Sequence, residues 1–483
     1  MVLPVKNEAA MNAKAMRRGI TPDGVTWDYP TGGNGQPELK ECLDLSARYE
    51  SLRSIFGGRV PAKPVEATAE MIKAYLVLHG FRQLILNVTE ECNLRCRYCV
   101  YSDWYPFTRG YSRASMTFAT ARKAVDYYLG AVCSIRRRNP RRKAVISFYG
   151  GEPLLCFSLI EQVVEYVAHA YPDLNVMYNL TTNGTVVSEE IAEFLAAHRF
   201  AVSVSLDGPS SEHDRNRVYP SGKGTFVDVM KGIQLLQGFM NQAPEFLNVI
   251  GCYDPCTDLN ACMRFFDSGD LPRLLRMSPV APYGTNYYSQ FSSETLDRHQ
   301  ATLAELARAY DSMCESSNSA DIQLGFLDVL CGEELRQLMM RSVGPSTRLP
   351  FLPYTGACVP GDKLSVTVSG DIHMCERIGE GFVIGHIDSG LDYDRIAEIV
   401  NCYNRDIAQD CADCEVSRLC YGCYAVFAEN GSFRKPEGYC LNTVQLTHEG
   451  LSRLYSILEV NPARLVGLRD RYEADVRIRA WDF

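Results

Sequence analysis

The sequence lacks three features that each define a class of protein. It has no run of ~18 apolar residues and no basic segment followed by an apolar core and a cleavage site, so it predicts neither a membrane span nor a secretory signal. Basic residues are not in excess, because 49 Lys and Arg stand against 58 Asp and Glu and the net charge is -9. No basic surface for nucleic acid is therefore indicated. We expect a cytoplasmic protein without nucleic-acid or membrane partners.

Cysteine, in contrast, is abundant, with 19 in a chain of 483 residues. Cytoplasmic thiols are kept reduced, so clustered cysteines in such a protein indicate metal binding or catalysis rather than disulfides. The length suffices for two or three domains with a large core. No internal repeat or low-complexity segment is evident, so the chemistry must be sought in individual motifs.

Predicted strands alternate with amphipathic helices across residues 83–279. The helices include Phe118–Leu129, Leu159–His169 and Ser188–His198. The alternation indicates an α/β fold with a parallel sheet, and six units fit a partial TIM-like (β/α)6 barrel. Such barrels place their chemistry on the loops at the carboxyl ends of the strands. The predicted strands are Gln83–Val88, Ala144–Phe148, Asn175–Leu180, Ala201–Leu206, Leu247–Gly251 and Leu274–Pro279.

The composition divides the chain into four parts. Residues 1–80 form an extension that is rich in Gly, Pro and polar residues, has a predicted helix at 39–55 and lacks clear strands. Residues 81–340 comprise the barrel and bridging helices. Cysteines are dense in residues 341–445, which predict a second, metal-organised domain. Residues 446–483 predict helices that pack back on the body.

The segment Glu91–Cys99, with the sequence ECNLRCRYC, follows the first predicted strand directly. Cys92, Cys96 and Cys99 are spaced so that three thiolates can hold one iron-sulfur cube and leave its fourth iron open to another ligand. A zinc knuckle or buried thiols are the alternatives, but zinc usually takes four ligands from paired C-x2-C elements. With Tyr98 before the last cysteine, CNLRCRYC resembles the signature of the radical S-adenosylmethionine (radical SAM) enzymes.

Three further motifs follow predicted strands. Gly150, Gly151, Glu152 and Pro153 resemble the GGEP motif of the same enzymes. Glycines allow a close approach of the backbone, and a carboxylate can receive an ammonium group, although a simple turn is the alternative. The resemblance implies that GGEP binds the methionine amino group.

Polar residues after the next two strands match positions that contact the ribose and the methionine carboxylate, for which an Arg fork is well suited. These matches are Thr182, Asn183, Ser205 and Arg217.

Seven cysteines near the C-terminus resemble the SPASM domain, which carries two auxiliary 4Fe-4S clusters. Two zinc sites are the alternative. The spacing between Cys420 and Cys423 is one residue shorter than the usual pattern, and residues 351–357 lack a cysteine that sulfatase-maturing relatives have. One cluster could then keep an open iron for a substrate thiolate, or recruit a distant residue such as Cys331. The resemblance implies one cluster on Cys411, Cys414, Cys420 and Cys440, and another on Cys358, Cys375 and Cys423.

Together these resemblances imply three 4Fe-4S clusters and reductive cleavage of S-adenosylmethionine to a 5'-deoxyadenosyl radical. The motifs look like those of maturases that join a cysteine sulfur to a carbon in a ribosomally made, cysteine-containing precursor peptide. Glu376 and Asp207 are candidate catalytic bases. Radical carbon-carbon or carbon-oxygen crosslinking, and formylglycine formation as in anaerobic sulfatase maturation, are the alternatives. A non-catalytic iron-sulfur protein is a further one, which the GGEP motif and Arg217 argue against.

Such chemistry needs an external electron donor of the flavodoxin or ferredoxin type. A leader-peptide recognition partner, or the barrel itself, would bind the precursor. The basic run at 136–143 could dock an acidic leader, although a solvated loop is the simpler interpretation.

Overall fold

The computed structural model describes residues 17–20, 26–29, 63–316, 325–340 and 349–479. Near the N-terminus, strands β1 (Arg17–Ile20) and β2 (Thr26–Tyr29) pair antiparallel. The sequence predicts no clear strand in residues 1–80, and this hairpin corrects that expectation. The available signal was Pro22-Asp23-Gly24 between the strands, a strong turn sequence, but strands of four residues are too short to give a recognisable alternation. The predicted helix at 39–55 lies outside the described residues.

Six parallel strands form the centre of the molecule, and each pairs with its neighbour in chain order. Aliphatic and aromatic residues dominate these strands, and β3 and β4 are buried on both faces, as parallel strands covered by helices must be. The predicted α/β partial barrel is thereby confirmed. The strands are β3 (Gln83–Thr89), β4 (Ala144–Gly150), β5 (Val176–Thr182), β6 (Ala201–Ser205), β7 (Leu247–Tyr253) and β8 (Arg273–Pro279).

Helices connect these strands and cover the sheet. Four of them begin at a Ser, Thr or Asp whose side chain accepts a hydrogen bond from the first turn. Phe148, Tyr178 and Phe200 stack within the core, with 5.1 Å between the ring centroids of the last two. The helices are α1 (Ala69–His79), α2 (Phe118–Arg136), α3 (Phe157–Ala170), α4 (Glu189–Ala197), α5 (Ser210–Asn216), α6 (Phe226–Phe239) and α7 (Leu259–Phe266).

The sheet continues beyond the barrel on the β3 side. Strand β9 (Lys363–Val366) pairs parallel with β3, and β10 (Asp371–His373), β11 (Val383–His386) and β12 (Gly390–Leu391) extend it antiparallel. The Asn87 side chain of β3 donates to Ser365 Oγ at 2.9 Å and to the Val366 carbonyl at 3.2 Å. The cysteine-rich segment therefore shares a sheet with the barrel. Cys375 follows β10, which is separated from β3 by β9 alone.

The remaining elements are mostly helical. Arg453 Nε bonds to Asp311 Oδ2 at 2.8 Å, and Arg464 forms a buried ion pair with Asp328. The last helices thus pack on the helices that follow the barrel. No helix in the described part of the chain is long and apolar enough to cross a membrane. The elements are α8 (Ser293–Ser316), α9 (Gly325–Leu330), α10 (Gly332–Met340), α11 (Tyr393–Asp406), α12 (Tyr424–Phe427), β13 (Ala428–Glu429), β14 (Ser432–Phe433), α13 (Tyr439–Val460) and α14 (Pro462–Arg479).

Candidate active site

The loop that carries Cys92, Cys96 and Cys99 lies at the carboxyl end of β3. It is fixed to the end of α5 and the residues that follow, because the Arg95 amide donates to the Val218 carbonyl at 2.7 Å and the Arg97 amide to the Asn216 carbonyl at 2.9 Å. Burial raises the pKa of the Cys92 thiol to about 11 and that of Cys96 to about 12, and neighbouring thiols of the same loop add to both shifts. The structure therefore brings the three predicted thiols together.

Gly150 and Gly151 allow the end of β4 to pack closely against this loop. The Gly151 amide donates to the Thr89 carbonyl at 2.8 Å, and the Glu152 amide donates to the Glu91 carbonyl at 2.9 Å. A Cβ at Gly150, whose φ is 145°, would lie 2.2 Å from Thr89 O, and one at Gly151 would lie 2.1 Å from Glu91 O. The contact that requires these glycines in the structure is with the backbone that leads into the cysteine loop, and their close approach to a ligand stays a prediction.

We expect Gly151→Ala to lower the melting temperature of the protein, because its Cβ would overlap backbone atoms that cannot move without displacing the cysteine loop. Overpacking of this kind typically costs about 1–3 kcal/mol. Gly130→Ala is the matched control, since a Cβ there meets nothing within 4 Å and Ala favours the interior of α2. Anaerobic thermal denaturation followed by circular dichroism compares the two. A Gly151→Ala protein as stable as Gly130→Ala would contradict the packing argument.

Glu152 is buried and holds the ends of β4 and β5 together. Its carboxylate accepts hydrogen bonds from Thr182 Oγ1 at 2.7 Å, the Asn183 amide at 2.6 Å and the Leu154 amide at 3.1 Å. Burial raises the pKa of this carboxyl group, while these hydrogen bonds oppose the rise. Pro153 begins a 3-10 helix that ends at Cys156. The ammonium-binding role of the GGEP residues stays a prediction.

Asn183 connects the turn after β5 to the cysteine loop. Its Nδ2 donates to Asn93 Oδ1 at 2.8 Å and lies 3.9 Å from Cys92 Sγ, while Asn93 Nδ2 donates to Thr185 Oγ1 at 2.8 Å. Ser205 ends β6, the neighbouring strand. The polar residues predicted from successive strands are thus at one end of the barrel.

Tyr98, Asp207 and Arg217 form a buried chain of contacts beneath the cysteine loop. The Tyr98 hydroxyl donates to Asp207 Oδ2 at 2.5 Å, and Arg217 Nη1 donates to the Tyr98 oxygen at 3.0 Å. Asp207 Oδ1 accepts from the Cys252 amide at 3.0 Å. Because both of its carboxylate oxygens are engaged by the protein, the geometry favours a positioning role for Asp207 over that of a base.

The residues around the cysteine loop fit the predicted cofactor. Arg217 is buried and its Nε has no hydrogen-bond partner, although the guanidinium lies within the electrostatic influence of Cys96. A guanidinium with a free Nε beside the thiols of Cys92 and Cys96 suits a ligand that carries a carboxylate, as S-adenosylmethionine does. Among the described residues, no three His, Cys, Asp or Glu side chains converge on a single metal ion. The thiolates of an iron-sulfur cube instead bind different irons.

The C-terminal cysteines lie in the two predicted groups. Burial raises the pKa of Cys411 to about 12, and the thiols of Cys420, Cys414 and Cys440 are among its electrostatic neighbours. Cys358 has Cys375 and Cys423 as its neighbouring thiols.

Cys331 belongs to neither group. It is buried beneath α13 among Arg453, Asp311, Cys314 and Glu334. Cys331 directly follows α9, and its main electrostatic neighbours do not include Cys358, Cys375 or Cys423, so the structure does not support the suggestion that it completes the cluster of Cys358.

The segment after the cysteine loop contributes groups that the motifs did not reveal. The Tyr111 hydroxyl lies against the Cys99 thiol, and burial, with that thiol, raises the pKa of Tyr111. The Arg109 guanidinium lies 3.9 Å from the ring centroid of Tyr101. Glu376 Oε2, on the turn after β10, is buried without a hydrogen-bond partner. The aromatic and basic composition of residues 101–113 was the only sequence signal for this group.

A parallel partial barrel with a three-thiol loop after its first strand defines a class of iron-sulfur barrel proteins. Residues 86–242 match the model of the radical SAM superfamily. The chain therefore contains a radical SAM domain, and the predicted cofactors, S-adenosylmethionine and 4Fe-4S clusters, are those of such domains.

The curated relatives cover parts of the chain. An uncharacterized protein of Methanocaldococcus jannaschii is 36% identical over 163 residues, which are 34% of this chain and 51% of that protein. A cysteine-type anaerobic sulfatase-maturating enzyme of Clostridium novyi is 27% identical over 208 residues, 38% of this chain and 54% of the enzyme. The chain thus spans about half the length of these relatives.

A solved structure extends the similarity of fold to most of the chain. Native anSMEcpe with bound AdoMet superimposes with a TM-score of 0.55 at 21% identity, covering 80% of this chain and 99% of that one. At this identity the likeness concerns the fold alone.

Proposed function

We propose that the protein is a radical SAM peptide maturase that joins a cysteine sulfur to a carbon atom in a ribosomally made precursor peptide. The observation that carries the proposal is the group Cys358, Cys375 and Cys423. It gathers three thiols, and Cys331, the suggested fourth, lies elsewhere. An iron-sulfur cluster on three thiolates leaves one iron for a further ligand. A cysteine of the substrate is a ligand of the required chemistry.

The cofactor and the chain have separate tasks. Cys92, Cys96 and Cys99 would hold the cluster that binds S-adenosylmethionine, and Arg217 would bind the methionine carboxylate. When bound, this cofactor supplies a carbon-centred radical that removes a hydrogen atom from an unreactive carbon. The chain's share is to place that carbon, to exclude water and to fix the acceptor sulfur.

Formation of a thioether from one C–H and one S–H bond releases a hydrogen atom, a proton and an electron. We propose that the Glu376 carboxylate takes the proton, because it adjoins Cys375 at the second predicted cluster. The electron passes to a carrier of the flavodoxin or ferredoxin type. Recognition of a leader peptide is assigned to a separate partner or to the barrel itself.

Formylglycine formation is the second candidate. It is favoured by the similarity to the cysteine-type sulfatase-maturating enzyme of Clostridium novyi. Both reactions begin at a cysteine-containing polypeptide, so the products must distinguish them. Carbon-carbon and carbon-oxygen crosslinking differ from both because they leave cysteine thiols free.

The test uses the anaerobically reconstituted protein with dithionite, S-adenosylmethionine and a cysteine-containing peptide encoded beside its gene. We expect the peptide to lose two hydrogens by mass spectrometry, and one thiol to resist alkylation. The same peptide with that Cys replaced by Ser is the control and should stay unmodified. An aldehyde that reacts with a hydrazide would establish formylglycine formation instead. A mass loss with every thiol still alkylated would indicate a crosslink that does not involve sulfur.

A further inference from the structure

Arg109 presents two buried donors that bond to nothing. Its side chain is 13% exposed, and neither Nη1 nor Nη2 has a hydrogen-bond partner. The nearest carboxylate oxygen, Glu90 Oε1, is 3.7 Å away, beyond hydrogen-bonding distance, and Glu90 Oε2 accepts from Ser112 Oγ at 2.6 Å. Tyr101 holds the guanidinium in place by stacking and by an interaction with its hydroxyl, but Nη1 and Nη2 have no hydrogen-bond partner. Arg109 is therefore held in place while Nη1 and Nη2 lack acceptors.

Glu376 presents a buried acceptor in the same region. Its Oε2 has no hydrogen-bond partner, and the carboxylate and Arg109 both act electrostatically on the Tyr101 hydroxyl. The two segments pack directly on each other, because a Cβ at Gly379 would lie 2.2 Å from Phe107 O. Arg109 and Glu376 form no ion pair with one another, although the structure describes both side chains.

Buried donors and acceptors without partners cost free energy, and the cost is larger for charged groups. Opposite charges placed on two packed segments would be expected to pair. Here the guanidinium and the carboxylate are kept apart, so a group that contacts both would recover the lost hydrogen bonds. Tyr101, beside Arg109, also has Cys99 of the barrel loop as an electrostatic neighbour, and Glu376 adjoins Cys375 of the cysteine-rich segment.

The charges around Arg109 and Glu376 determine which kind of chemical group could bind to both of them. A carboxylate ligand would add a third negative charge beside Glu90 and Glu376. An ammonium group would be repelled by Arg109 and by Arg377, whose guanidinium is an electrostatic neighbour of Glu376. A neutral group with an acceptor on one side and a donor on the other avoids both penalties. A peptide amide has this arrangement, with its carbonyl oxygen and N–H pointing in opposite directions.

We propose that Arg109 and Glu376 together bind one backbone amide of the substrate, Arg109 through the carbonyl oxygen and Glu376 through the N–H. The proposal rests on the proposed function in one respect, namely that the substrate is a peptide. It adds two residues that would fix the peptide between the two cluster regions. The interaction is with the backbone, so it positions the substrate without reading its side chains.

The experiment measures equilibrium binding of two small probes to the reconstituted protein without reductant. 3-Mercapto-N-methylpropanamide carries a single amide, and methyl 3-mercaptopropionate replaces the N–H of that amide by an oxygen. We expect the amide probe to bind about tenfold more tightly, the effect of one hydrogen bond to a charged group. Glu376→Met should abolish this difference. Arg109→Met should weaken the binding of both probes by about tenfold. Arg113→Met, an exposed change in the same segment, should alter neither.

Iron content and visible absorbance establish that each variant retains its clusters. If Arg109→Met loses iron, Arg109→Lys takes its place, which keeps the charge, removes the fork and should weaken both probes by a smaller factor. Equal binding of the probes to the unaltered protein, an undiminished difference in Glu376→Met, or no binding of either probe would overturn the proposal. Because no radical chemistry occurs without reductant, a failure here is distinguishable from failure of thioether formation.

Discussion

Replacing Cys92, Cys96 and Cys99 together by Ala is expected to abolish cleavage of S-adenosylmethionine while leaving the auxiliary clusters in place. The three thiols lie on one loop at the carboxyl end of β3, separate from the cysteines of the C-terminal groups. Of ~12 irons in three 4Fe-4S clusters, ~4 should be lost. Release of 5'-deoxyadenosine under dithionite should fall to the background without enzyme, measured by liquid chromatography beside iron analysis.

Cys256→Ala provides the matched control, because Cys256 is exposed and belongs to none of the three groups. It should keep both the iron and the cleavage of the cofactor. Retained cleavage in the triple variant would show that the active site lies elsewhere in the chain. Loss of nearly all the iron would instead show that the auxiliary groups depend on the barrel loop for their folding.

The barrel was predictable because its strands and motifs obey local rules. Each of the six strands has a run of apolar residues followed by a turn, and the observed strand starts differ from the predicted ones by at most one residue. The polar residues after those strands then meet because parallel strands end on the same side of the sheet. Glu152 and Asn183, from different strands, therefore contact one another without any sequence signal of proximity.

Long-range pairing was not predictable from local patterns. Strand β9 pairs with β3 across the whole barrel sequence, with Gln83 opposite Lys363, and the Asn87 side chain adds a hydrogen bond to Ser365. The backbone contact that requires Gly150 and Gly151 likewise comes from Thr89 and Glu91, far away in the sequence. Arg109 went unnoticed because an Arg in a loop is usually solvated, and its burial comes from packing against Tyr101 and the turn after β10.

Arg217→Gln is expected to weaken binding of S-adenosylmethionine by about 100-fold. Removing one partner of a buried, hydrogen-bonded charge pair costs about 2–5 kcal/mol, and each 1.4 kcal/mol corresponds to about tenfold in affinity. Nε of Arg217 is buried and has no hydrogen-bond partner, while Nη1 donates to the Tyr98 oxygen. Tyr98 thus fixes the orientation of the guanidinium, and equilibrium binding of the cofactor measures what that orientation contributes.

Two further variants separate binding from structure. Arg217→Lys keeps the positive charge opposite buried Asp207 but lacks the planar guanidinium. It should therefore preserve folding and iron content while still weakening the binding of S-adenosylmethionine. Tyr98→Phe removes the hydroxyl between Arg217 and Asp207 and should have a smaller effect, because the guanidinium stays in place with a less defined orientation. If Arg217→Lys binds S-adenosylmethionine as tightly as the unaltered protein, the guanidinium does not hold the carboxylate, and its free Nε serves another ligand.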